Sequence, residues 1–150
     1  MGKCSIRYGS KFEGEGSGRK EMITGATNAQ AYVACYSYIE NQQVQEAFCT
    51  LLGAVSVMQH YSCTPDGHGY MERSIGIFSA PDSRHLFSFV ANQKSLLFYF
   101  RLPAVRSSKY SLEALFAEFD DVKGKPDGEW TVRLLSVDDV KCLLEILQLS

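Results

Sequence analysis

The sequence is poor in the features that most often announce a function. No apolar run reaches the ~18 residues that a membrane helix requires. The start, Met1-Gly2-Lys3-Cys4-Ser5-Ile6-Arg7, lacks the apolar stretch of a secretory leader. Charge of neither sign dominates: 15 basic against 17 acidic residues leave a formal −2, too balanced for a dedicated nucleic-acid binder. The 5 cysteines (Cys4, Cys35, Cys49, Cys63, Cys142) are odd in number, scattered and without a CxxC pair. That pattern argues against a disulfide framework and for free thiols in a reducing cytoplasm.

What is present is an ordinary domain. At 150 residues, with 45% hydrophobic and 21% charged residues, the chain is long enough to bury a core without a metal or disulfide staple. Residues 1–25 read as a flexible or edge-strand arm, with glycines at 9, 14, 16, 18 and 25 and a short strand candidate at Ser5-Ile6-Arg7-Tyr8. The first 21 residues hold five basic and three acidic side chains, so the remainder is net acidic. Residues 26–150 read as a single α+β domain.

Within that domain 28–40 is two-faced. Asn28 suits a helix cap, and Tyr32, Cys35, Tyr36 and Ile39 make a helical stripe, yet the same letters alternate as a strand would; the length favours the helix. Val44, Ala47, Phe48, Leu51 and Leu52 predict an amphipathic helix ending near Gly53, followed by a strand over Val55–Tyr61. From 71 the alternation predicts a three-stranded meander: 71–78, a Pro81-Asp82-Ser83 turn, 85–90, an Asn92-Gln93-Lys94 turn, then 96–102 stopped by Pro103. The third strand is apolar on both faces, as a central strand is. Ser111 predicts a helix carrying Leu112, Leu115, Phe116 and Phe119. Trp130–Leu134 alternates as a strand, and Ser136 with Asp139 caps a last helix bearing Val137, Val140, Leu143, Leu144 and Leu147. The order predicts α+β, with helices packed on an antiparallel or mixed sheet.

Two constellations carry candidate chemistry. In the first, His60, Cys63, Asp66 and His68 fall within nine positions. His60-x2-Cys63-x4-His68 has the first three ligands of a zinc knuckle, but position 73, where the fourth would stand, is Arg73, which cannot ligate zinc. A three-ligand site helped by Asp66 or His85, or a Cys63 thiolate paired with His60 or His68, would make a metal- or thiol-dependent hydrolase. The Thr64-Pro65-Asp66-Gly67 stretch reads as a turn and gives Cys63 no helix terminus to lower its pKa. The acidic stretch 120–129 reads as a plain loop, because Lys123 and Lys125 would repel calcium. Gly14, Gly16 and Gly18 lack the context of a phosphate loop. No cofactor and no metal is called for.

The second constellation is aromatic: Phe78, Phe87, Phe89, Phe98, Tyr99 and Phe100 crowd one meander. These rings exceed what one protomer is expected to hide, so a ligand or a second copy of the chain would cover part of them. His85 and Arg101 beside them supply the few polar groups a pocket needs, and Tyr32, Tyr36 and Tyr38 would line its other wall. The leading expectation is a binding or interaction module, holding an apolar or cationic small ligand at Phe78, His85, Phe87, Phe89, Phe98, Tyr99 and Arg101, or forming a homo-oligomer through that face; the hydrolase at 60–68 is its alternative. Nucleic acid is disfavoured, since basic-aromatic motifs are missing.

Overall fold

The computed structural model describes residues 28–66 and 73–148. The expectations for the 1–25 arm, for the Ser5–Tyr8 strand and for His68 lie outside the described residues. Helix α1 occupies 28–38, already including Asn28, so the ambiguous segment is helical. Its Cys35, and Ile39 just beyond it, turn into the core. Asn41 caps α2 (Gln42–Ser56), its side-chain oxygen accepting from the Val44 amide at 3.1 Å.

Gly53 does not end this helix. Val44, Phe48, Leu51 and Val55 share its buried stripe, and Gly53 faces open space, so its only cost is entropic. The strand expected at Val55–Tyr61 is therefore corrected: Val55 belongs to the last helical turn, and strand β1 begins at Tyr61 and runs to Pro65. Strands β2 (Ser74–Ser79), β3 (His85–Ala91) and β4 (Leu96–Phe100) follow. Pro103 does more than stop β4. It sits in the first turn of a short helix α3 (Leu102–Arg106), where its missing N–H is no loss. Helix α4 (Leu112–Glu118) is capped by Ser111, and α5 spans Val137–Gln148. The stretch expected to be a plain loop contains strand β5 (Val122–Gly124), which forms a hairpin with β6 (Trp130–Leu134).

The six strands form one antiparallel sheet in the order β1-β2-β3-β4-β6-β5, so the meander extends to four strands and the fold is α+β. β4 is central, as its two apolar faces implied. The edge strand β1 is blunted against pairing: Pro65 has no N–H to offer, and the Tyr32 hydroxyl donates to the Cys63 carbonyl at 3.2 Å.

Register decides which side chains share a face. Ile75, Phe89, Phe98 and Val132 line up across four strands, as do Ile77, Phe87, Phe100 and Trp130. The stripes of α2 and α5 cover these two rows, with Leu115 of α4 and Ala104 of α3 completing the core. Phe87 alone meets Tyr61, Phe98, Phe100 and Tyr110 at centroid distances of 5.3–6.0 Å, and Phe48 of α2 meets Phe89 edge-on at 5.9 Å. Phe87, Phe89, Phe98 and Phe100 are 0% exposed. The helical layer of this same chain covers them, so of the six meander rings only Phe78 and Tyr99 remain partly exposed. Among the described residues no helix is long and apolar enough to cross a membrane.

Candidate ligand site on the face opposite the helices

The opposite face of the sheet is built differently. Its central row, in register, is Thr64, Gly76, Ser88, Tyr99 and Thr131. Gly76, Ser88 and Thr131 are small and buried. They form a floor between taller neighbours, with Phe78, His85 and Arg101 toward one end and Val90 and Leu97 toward the other.

A bulge places His85 in this group. Strict alternation would put His85 on the same face as Phe87 and Phe89, inside the core. The register shifts between Ile77 and Phe78, so that Ile77 faces Phe87 while Phe78 faces His85. One extra residue in β3, Leu86, thus re-aims the imidazole to the far side. There the ring stacks on Phe78 at 4.5 Å with a 23° interplanar angle.

Asp66 follows the last residue of β1, and its amide donates to the Ser74 carbonyl at 3.1 Å. Its carboxylate folds over Gly76: a Cβ added there would stand 2.8 Å from Oδ2 and 2.7 Å from Cε1 of Phe78. Only glycine permits that approach. Asp66 Oδ2 lies 3.2 Å from His85 Nε2, but the atoms are out of line for a hydrogen bond. Nε2 and the other carboxylate oxygen, Oδ1, are both buried and, among the described residues, have no hydrogen-bond partner. Unmet buried polar atoms are rare in folded proteins and call for an explanation.

Beyond His85 the charges are paired. Arg101 Nε lies 3.2 Å from Glu129 Oε2. Lys125 Nζ approaches Glu129 at 3.9 Å and Asp127 at 3.6 Å, and sits 5.2 Å from the centroid of Tyr99. The β5–β6 turn holds these groups in place: the Gly128 amide donates to the Lys125 carbonyl at 2.9 Å, the Lys125 amide to the Glu129 carbonyl at 2.7 Å, and Gly128 takes φ +97°. Glu129 and Lys125 were not legible as site residues in the sequence: Pro126-Asp127-Gly128 reads as a turn, but nothing local says that the turn lies beside Arg101.

His85 titrates below its ordinary range, first because burial disfavours the charged ring and then because Arg101 repels it; Asp66, the Phe87 backbone and Glu129 oppose the shift. Near neutral pH the imidazole is uncharged, and among the described residues no other cationic side chain pairs with Asp66.

The structure brings together Phe78, His85, Tyr99 and Arg101 of the expected site, and places Phe87, Phe89 and Phe98 on the other side of the sheet. Tyr32 is at Cys63, Tyr36 is exposed, and Tyr38 lies under the Arg73 guanidinium at 4.0 Å, so none of the three walls the His85 group. The 60–68 constellation splits as well. Asp66 joins His85, whereas Cys63 faces the helices beside Tyr32. Burial, and then the charge of Asp66, push the Cys63 thiol up to about 11, and the Tyr32 hydroxyl is pushed up to about 12, chiefly by burial. His60 is exposed in the turn before β1. Among the described residues no three His, Cys, Asp or Glu side chains gather as a metal site. No known protein family matches the chain, and neither a curated protein nor a solved structure is similar to it.

Proposed function

We propose that this protein binds a small molecule on the face opposite the helices, and that the ligand presents a cationic hydrogen-bond donor, such as an ammonium or amidinium, on an apolar body. One observation carries this reading: Asp66 Oδ1 and His85 Nε2 are buried on neighbouring side chains and, among the described residues, without a hydrogen-bond partner. Both accept hydrogen bonds when the imidazole is neutral and its Nε2 bare, so a charged N–H group is the partner that would satisfy them together. Phe78 and Tyr99 provide ring faces for the cation and the apolar body, and the Arg101–Glu129–Lys125 network holds one wall in place.

A second copy of the chain is a poorer occupant, because the rings expected to meet it are enclosed by the protomer's own helices. A thiol hydrolase at 60–68 draws less support too, since its nucleophile would be a thiol held far from the thiolate range. Four described cysteines are free, which suits a cytoplasmic setting.

The test is titration of 15N-labelled protein with benzamidine and, separately, with benzoate. Benzamidine is expected to shift the amides of Gly76, Ser88 and Tyr99 saturably, and Asp66→Asn to abolish the response. Unmoved amides, equal shifts with benzoate, or undiminished binding by Asp66→Asn would each defeat the reading.

A further inference from the structure

A separate cavity of about 770 Å³ opens at one end of the sheet, within the size range of small-molecule sites. Five segments wall it: the turn after α2 with the start of β1, the β2–β3 turn, β3, the α3–α4 connection, and the last turn of α5. Leu86, the residue that the bulge adds to β3, forms part of its floor. Tyr61 and Tyr110 both stand in the wall. Burial, and then Tyr61, raise the Tyr110 hydroxyl well above its ordinary range, so it stays protonated and can donate to an acceptor.

Two loops reach the mouth, and each carries a basic side chain: Arg84 and Lys109. Arg84 is already engaged by Asp82, at 2.7 Å. Lys109 pairs with no acid among the described residues. The residue immediately before each of these cations has a left-handed backbone: Ser83 at φ 58° and Ser108 at φ 63°. They are the only non-glycine residues with positive φ among those described. Neither is a glycine, so each bears a steric cost that the surrounding fold sustains, and such strain concentrates at functional sites. The shared consequence is that two separate loops aim a cation at one cavity.

We propose that this end cavity is a second ligand site, specific for a small organic acid with an apolar or aromatic body. The carboxylate would meet Lys109 and Arg84 at the mouth, and the body would lie on Leu86 and against the two tyrosine rings. The opposite wall contains the last turn of α5, Leu147 and Gln148, and the negative end of a helix dipole disfavours an anion; this sets the acid on the Lys109 side.

The site is tested with 3-phenylpropionate and its amine counterpart, 3-phenylpropylamine, on the full chain. The acid is expected to shift the amides of Leu86, Ala104 and Tyr110 while leaving Gly76 and Ser88 unmoved, which separates this site from the one proposed above. Lys109→Gln, at an exposed position, should weaken the acid about tenfold, the scale on which a single charged hydrogen bond acts. Ser108→Gly should preserve the fold but loosen the aim of Lys109 and weaken binding several-fold. The inference is overturned if the acid leaves these amides unmoved, if the amine binds as well as the acid, or if Lys109→Gln binds undiminished.

Discussion

His85 stacks on Phe78 across a β-bulge, and that pairing turns an imidazole away from the core and toward the Asp66 carboxylate. The contact couples protonation to folding. His85 titrates below its ordinary value in the folded protein, so between the folded pKa and about 6.5 the unfolded chain binds the extra proton. Stability is therefore full above the ordinary histidine value and is lost as pH falls through that window. An NMR titration of the His85 ring should place its midpoint below about 6.5, the ordinary histidine value. Asp66→Asn should lower it further by removing a charge that favours the imidazolium, and Arg101→Gln should raise it. A His85 midpoint at or above the ordinary value would contradict the burial described.

Two glycines should respond oppositely to alanine. Gly76→Ala puts a methyl group against the Phe78 ring and the Asp66 carboxylate, and overpacking of this kind costs about 1–3 kcal/mol. Gly53→Ala meets nothing within 4 Å and lies inside α2, so it should stabilise by roughly 0.5–1 kcal/mol through lost unfolded-state freedom and helix propensity. Urea unfolding of the pair checks both signs.

The meander rings should separate into two energetic classes. Phe87→Ala removes a fully buried ring with four aromatic neighbours, and should cost about 3–5 kcal/mol. Phe78→Ala, at a partly exposed position on the other face, should cost distinctly less while shifting the His85 midpoint. Equal losses in chemical denaturation would show that the two faces are not distinct.

Cys63 should be slow toward thiol reagents. Its thiol is raised to about 11 by burial and Asp66, whereas Cys49 is exposed on α2. At neutral pH, alkylation followed by peptide mass analysis should modify Cys49 more than ~10-fold faster than Cys63, because the thiolate is the reacting species. Rapid labelling of Cys63 would revive the thiol chemistry that the 60–68 spacing suggested.

Tyr32→Phe should cost about 0.5–1.5 kcal/mol, the net worth of one hydrogen bond, because its hydroxyl is the group that occupies the Cys63 carbonyl on the free edge of β1. The same change uncovers that edge, so concentration-dependent association should accompany the loss; sedimentation measures it.

The sequence by itself determined the α+β class, the helices bearing Phe48 and Leu143, and the central place of β4. Those follow from periodicity and burial, which are local properties of the chain. It also brought His85, Arg101, Tyr99 and Phe78 to notice. It could not assign them a face, because one inserted residue reverses the sense of a strand and leaves no mark in composition. The helix through Gly53 was decided by packing: Val55 gains more on the buried stripe than glycine loses. Glu129 and Lys125 reach the His85 group only because β5 and β6 form a hairpin beside β4, and Asp66 reaches it only because Gly76 leaves room. Contacts of that kind depend on which strands become neighbours, and tertiary structure alone decides that.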